Sequence, residues 1–129
     1  MSRAIHFEIP SRDPERLAAF YRGLFGGEIT NWGGPVEYWL VNTGPDSEPG
    51  IHGAIARRDP REGTRNTVSV KNVDEALRKI GGTGGKALPP KMPIPGIGYT
   101  ALCQDPEGNV FGILEPDPSA KFAPGAVEQ

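Results

Sequence analysis

His6 and Glu8 lie two residues apart in the run Ile5-His6-Phe7-Glu8-Ile9, where apolar and polar residues alternate. In an extended strand both project from one face, while Ile5, Phe7 and Ile9 project from the other. An imidazole titrates near neutral pH, and a neighbouring carboxylate orients it or serves as a base once burial raises its pKa. His6 and Glu8 are therefore the catalytic candidates; the plain alternative is an exposed strand face. Arg65 with Thr67 and Ser69 offers a fixed cation and two hydroxyls on one alternating face, the chemistry of carboxylate or phosphate recognition. The alternatives for Arg65 are a surface position at a strand start or an ion pair with Glu8. Trp32, Tyr38, Trp39 and Tyr99 belong to strands or their ends, where aromatics usually form cores or dimer contacts. Among these, Tyr38, Trp39 and Tyr99 join Arg65 and Thr67 as ligand-binding candidates.

Other residues carry weaker signals. The stretch from Lys91 to Gly98 reads as a loop with apolar tips, stiffened by prolines and hinged by glycines, that either covers a ligand or is a packed connector. His52 reads as a partly exposed strand residue rather than a ligand. Cys103 has no basic sequence neighbour to lower its pKa, so strand burial explains it better than nucleophilic catalysis. The glycines from Gly81 to Gly85 precede a strand and do not open a helix, which rules out a phosphate-cradling loop.

The elements that must position these residues are legible from punctuation. Pro10 stops the first strand, Asp13 caps a helix with Pro14 at its first position, and Leu17, Phe20, Tyr21, Leu24 and Phe25 form one helical stripe. Gly26-Gly27 ends it. Strands follow at Glu28 to Trp32, Glu37 to Asn42 and Ile51 to Arg57, then a polar connector from Arg58 to Gly63. The order then restarts: alternation through Thr67 to Val70, a capping-box pattern at Asn72 and Glu75, and a short apolar stripe of Val73, Leu77 and Ile80. A proline-rich loop is predicted from Pro89 to Gly98. Strands at Tyr99 to Gln104 and Val110 to Leu114 flank the turn Asp105-Pro106-Glu107-Gly108-Asn109. Landmarks such as Gly53 and Gly112 recur at an offset near 60, which marks an internal duplication.

With 129 residues the chain suffices for one domain without disulfide or metal staples. Its 18 glycines and 14 prolines touch the level of low-complexity sequence, but they fall between periodic segments, so a packed fold is expected. Fourteen basic against sixteen acidic residues give no electrostatic reason for a nucleic acid or an anionic membrane as partner. The single cysteine fits a reducing compartment, and no apolar run approaches the ~18 residues of a membrane span. A soluble, unprocessed, cytoplasmic chain is expected, with the domain at residues 1–118 and a flexible tail at 119–129 that frays or lies on a partner.

The order of His6-Phe-Glu-Ile, Phe20-Tyr21 with Leu24-Phe25-Gly26, Val70 to Leu77, and Asp105-Pro-Glu-Gly-Asn resembles the vicinal oxygen chelate superfamily. That group contains glyoxalase I, bleomycin-resistance proteins and extradiol dioxygenases, and the small single-domain, glyoxalase-like branch fits best. The resemblance implies an α+β fold of two βαβββ modules, about residues 3–58 and 64–116, with curved mixed sheets around a shared cavity and often a homodimer. It also implies a divalent metal held by one residue on the first strand and one on the last strand of each module. Carried over, these positions are His6, about Gly53, about Arg65 and Gly112. Only His6 is a ligand type, because glycine has no donor and a guanidinium is permanently cationic. Sliding the register to His52 or Glu115 places each on the opposite face. No metal ligand is therefore assigned, and a divalent cofactor is disfavoured. The expected function is binding of a small organic molecule between the modules. The alternative is an enzyme, a lactoylglutathione-lyase-related lyase, an isomerase or a dioxygenase relative, using an atypical metal site or acid/base chemistry without one.

Overall fold

The computed structural model describes residues 2–34 and 37–121. The chain divides into two compact units, one of residues 5–65 and one of residues 2–4 with 66–121.

The first unit reads β1 (Ala4–Ser11), α1 (Pro14–Phe25), β2 (Glu28–Asn31), β3 (Tyr38–Asn42), β4 (His52–Arg57) and a short 3-10 turn at Pro60–Glu62. The α1 start follows the sequence cues: Asp13 Oδ1 accepts the Arg16 N–H at 3.3 Å and Pro14 occupies the first turn. At its end Gly26 has φ +73°, a left-handed backbone that glycine takes at little cost. The strands order as β2-β3-β4-β1, with β1 and β4 parallel and the other pairs antiparallel. Ala18 of α1 packs with Ile29 and Ile55, joined by Ile9, Leu17, Tyr21, Trp39 and Val41. This core covers the odd-numbered face of the strands. The even-numbered residues, including His6, Glu8, Tyr38 and His52, occupy the other face.

The second unit repeats the topology with β5 (Arg65–Ser69), α2 (Val73–Gly82), β6 (Lys86–Ile94), β7 (Gly98–Gln104) and β8 (Val110–Pro116), ordered β5-β8-β7-β6. Asn72 Oδ1 accepts the Glu75 N–H at 2.8 Å, which realises the predicted cap. Val73, Ala101, Cys103 and Ile113 form the core, with Val70, Ala76, Leu77, Ile80, Tyr99 and Phe111 around it. Two βαβββ modules with mixed sheets are thus the architecture, an α+β fold.

Three expectations need correction. The segment predicted as a loop from Pro89 to Gly98 is mostly strand: β6 runs to Ile94 and only residues 95–97 turn. Because β6 is the edge of its sheet, with a register shift between Leu88 and Met92, it tolerates the missing N–H groups of proline. The first strand does not stop at Pro10: β1 runs on to Ser11, with Pro10 opposite Ala56. The start of the predicted tail is tied down, since Ala120 is buried and its carbonyl accepts the Gly96 N–H at 3.0 Å. The rest of the tail, residues 122–129, lies outside the described residues. Among the described residues no helix is long and apolar enough to cross a membrane.

Candidate functional site

Pairing partners in a sheet share a face, so the register decides which candidates meet. His6 pairs with His52, Phe7 with Gly53 and Glu8 with Ala54. Tyr38 pairs with Ala56 and Leu40 with Ala54. Beyond His52, the central strand β4 presents Ala54 and Ala56 on this face between β1 and β3, and both are buried. These methyl groups leave room for the Tyr38 side chain to cross β4 and place its Oη 3.1 Å from His6 Nε2. Trp32 stands edge-on to the Tyr38 ring, centroids 6.1 Å apart, and its backbone N–H donates to the Tyr38 carbonyl at 2.8 Å.

Burial lowers the His6 pKa more than the Glu8 charge raises it, and His52 lowers it further. The imidazole is therefore neutral at pH 7. Burial first, and the Glu8 carboxylate second, push the Tyr38 phenol well above its usual value, so it keeps its proton. One hydrogen bond joins the two rings, and the tautomer of His6 decides which group donates.

Glu8 is bound into a charge cluster. Arg58 Nε donates to Glu8 Oε1 at 2.7 Å, Arg65 Nη1 lies 3.8 Å from the same oxygen, and Arg65 Nη2 donates to Glu62 Oε2 at 3.1 Å. The side chains of Arg58, Arg65 and Glu8 are only 13%, 15% and 20% exposed. Of the alternatives stated for Arg65, the ion pair with Glu8 is present. Sequence reasoning missed Arg58 and Glu62, placing them in a polar connector. The available signal was spacing: Glu62 falls four residues after Arg58 and three before Arg65, around a turn set by Asp59 and Pro60.

The structure brings His6, Glu8, Tyr38 and Arg65 together and turns Trp39 to the opposite face, while Thr67 and Tyr99 belong to the second unit. Trp39 follows Tyr38 in the strand and so faces α1, inside the core of the first unit. Tyr99 packs on the α2 side of the second unit with the Lys91 ammonium 5.4 Å from its ring centroid. Thr67 pairs with Gly112 in the second unit. Ser69 lies two residues further along β5 opposite Leu114. Cys103 is fully buried, which raises its thiol pKa, as expected for a packed residue.

The metal positions carried over from sequence change as well. Gly53 shares the face of Phe7, whose ring lies against it, so it points toward α1. His52, assigned to the wrong face by sequence, stands on the His6 face. Its ring nitrogens are nevertheless engaged elsewhere: Nδ1 accepts the Thr43 N–H at 3.1 Å and Nε2 donates to Asp46 Oδ1 at 3.2 Å. Glu115 does face away from Gly112, and its Oε1 accepts the Val73 N–H at 2.9 Å at the start of α2. A side chain at Gly112 would meet Thr67 Oγ1 at 2.9 Å. A divalent ion would thus find His6 bonded to Tyr38, Glu8 held by two guanidinium groups that repel cations, and His52 engaged with Thr43 and Asp46. The residues do not fit the metal, and among the described residues no three of His, Cys, Asp and Glu group closely enough to hold one.

Comparison with known proteins agrees with this fold. Residues 3–113 match the Glyoxalase/Bleomycin resistance protein/Dioxygenase superfamily, and the chain belongs to that family. Similar solved structures include a methylmalonyl-CoA epimerase in complex with methylmalonyl-CoA and NH4+, at 17% identity over 95% of this chain and 99% of that one, with a TM-score of 0.66. A hypothetical protein from Bacillus halodurans C-125 gives 15% identity over 94% and 99%, TM-score 0.65. The methylmalonyl-CoA epimerase from Mycobacterium tuberculosis gives 15% over 89% and 88%, TM-score 0.63. At these identities the likeness concerns the fold. No curated protein sequence matches the chain significantly.

Proposed function

We infer that this protein binds a small organic molecule on the strand face that carries His6 and Tyr38, without the divalent ion the family resemblance implies. The observation that carries this reading is the fate of the ligand positions. Of the four positions the resemblance carries over, Gly53 and Gly112 have no side-chain donor atom, His6 is a neutral imidazole bonded to the protonated Tyr38 phenol, and Arg65 is a cation facing Glu8. Such groups recognise hydroxyl, carbonyl and carboxyl oxygens directly.

The His6–Tyr38 bond favours one further reading, a lyase or isomerase that moves a proton without metal. A neutral His6 accepts the proton, and the Tyr38 hydroxyl hydrogen-bonds the substrate oxygen on which charge develops. The methylmalonyl-CoA epimerase neighbours make isomerisation the first activity to assay. Within the same reading the protein works as a homodimer in the cytoplasm, in line with its family and its single cysteine.

A thermal-shift screen of small organic acids, amides and aromatics, with bleomycin as one member, tests the reading. Hits are expected to stabilise the wild type and to lose that effect in His6→Ala and Tyr38→Phe. Equal stabilisation of all three proteins would refute the site. Proton NMR of each hit in deuterated buffer then separates binder from isomerase, because only the enzyme catalyses exchange at carbon.

A further inference from the structure

Glu8 gathers two buried guanidinium groups, yet their hydrogen-bonding capacity is not filled. Arg58 uses Nε on Glu8 and Nη2 on the Gly63 carbonyl at 3.4 Å. Arg65 uses Nη2 on Glu62. Arg58 Nη1 and Arg65 Nε are buried, and neither has a hydrogen-bond acceptor among the described residues. Glu62 Oε2 lies 3.7 Å from Arg58 Nη1, an ion-pair separation beyond hydrogen-bond reach. Buried donors without acceptors are uncommon in folded proteins, and charged ones especially so. Two such atoms on side chains that share Glu8 call for a further acceptor oxygen in this cluster.

The charge balance says what kind of oxygen. On the buried side one carboxylate, Glu8, faces two arginines. Glu62 is 48% exposed, so solvent weakens its hold on them. The buried cluster is short of one negative charge, and guanidinium forks match planar, two-oxygen anions.

We propose that Arg58 and Arg65 clamp the carboxylate of a small organic acid, whose remaining atoms lie toward His6 and Tyr38. This rests on the reading that the His6 face is a ligand site, and names the class of ligand. Glu8 acts here as a positioning residue that fixes both forks, and not as a base.

Matched pairs of probes test the clamp on the full-length protein: benzoate against benzamide, propionate against propionamide, and inorganic phosphate as a separate arm. Binding is followed by titration calorimetry and by the His6 imidazole resonances. Each carboxylate is expected to bind about tenfold tighter than its amide, the ratio that charge-assisted over neutral hydrogen bonding supplies. Arg65→Gln and Arg58→Lys should reduce that preference to about twofold or less, weakening the carboxylate more than the amide, since the glutamine loses the charge and the lysine loses the fork. Amides binding as tightly as carboxylates, or a preference intact in both variants, would overturn the clamp and leave the ligand site standing. Phosphate binding tighter than either carboxylate would overturn the assignment of ligand class. Failure of every probe to move the His6 resonances would sink both the clamp and the site. The wild-type comparison needs no variant, so a variant that fails to fold does not weaken it.

Discussion

Replacing Glu8 by Gln removes the one carboxylate that both Arg58 and Arg65 face on the buried side, while nearly preserving shape. Breaking a buried ion pair by deleting one partner costs about 3–5 kcal/mol, because the other charge stays buried and unpaired. Two features place this case below that range. Glu8 is 20% exposed, and Glu62 remains 3.1 Å from Arg65. A loss of about 2–3 kcal/mol follows, equivalent to a fall in Tm of roughly 6–12 °C for a chain of this size. Urea unfolding of Glu8→Gln, Arg58→Met and the double variant measures it, with the double variant expected to lose less than the two single losses combined. Millimolar acetate should restore part of the stability of Glu8→Gln by supplying the missing carboxylate. A single-variant loss under about 1 kcal/mol, the range of exposed ion pairs, would refute the claim that this cluster is a desolvated unit.

Two other perturbations probe the surrounding geometry. Because burial, opposed by Glu8 and aided by His52, lowers the His6 pKa with Tyr38 bonded to its Nε2, the unfolded chain binds a proton more readily than the folded one. Stability contributed by neutral His6 is therefore complete above the unfolded value of about 6.5 and is lost as pH falls through the folded pKa. Denaturation between those limits should show a steeper rise with pH in wild type than in His6→Gln, and identical slopes would refute the burial of the imidazole. Gly53→Ala drives a methyl group into the Phe7 ring and should cost about 1–3 kcal/mol by overpacking, measured by urea unfolding and partly recovered by Phe7→Leu. A neutral Gly53→Ala would mean that the β1–β4 register is wrong.

Much of the fold was legible because its punctuation is local. Asp13-Pro14, Gly26-Gly27 and Asn72 with Glu75 each act within a few residues, and the strands alternate cleanly, so two βαβββ units follow from sequence. The proline-rich β6 was misread because its strand character comes from pairing with β7 at a sheet edge, which no local rule reports. In the site, alternation correctly put His6 with Glu8. The same parity rule, applied across Tyr38-Trp39, would have excluded Trp39 once Tyr38 was chosen. The error at Gly53 and His52 came from a register taken from the family resemblance; the true one depends on which β4 residue lies opposite His6. Arg58 stayed hidden because its importance arises from reaching Glu8, fifty residues earlier in the chain.

The central claim, recognition of an organic ligand by the His6 face without a resident ion, is tested most directly by elemental metal content. The protein should be purified without chelators and without a nickel column, alongside His6→Ala. The account predicts far less than one divalent ion per chain in both proteins; a full equivalent in the wild type that disappears in His6→Ala would contradict it.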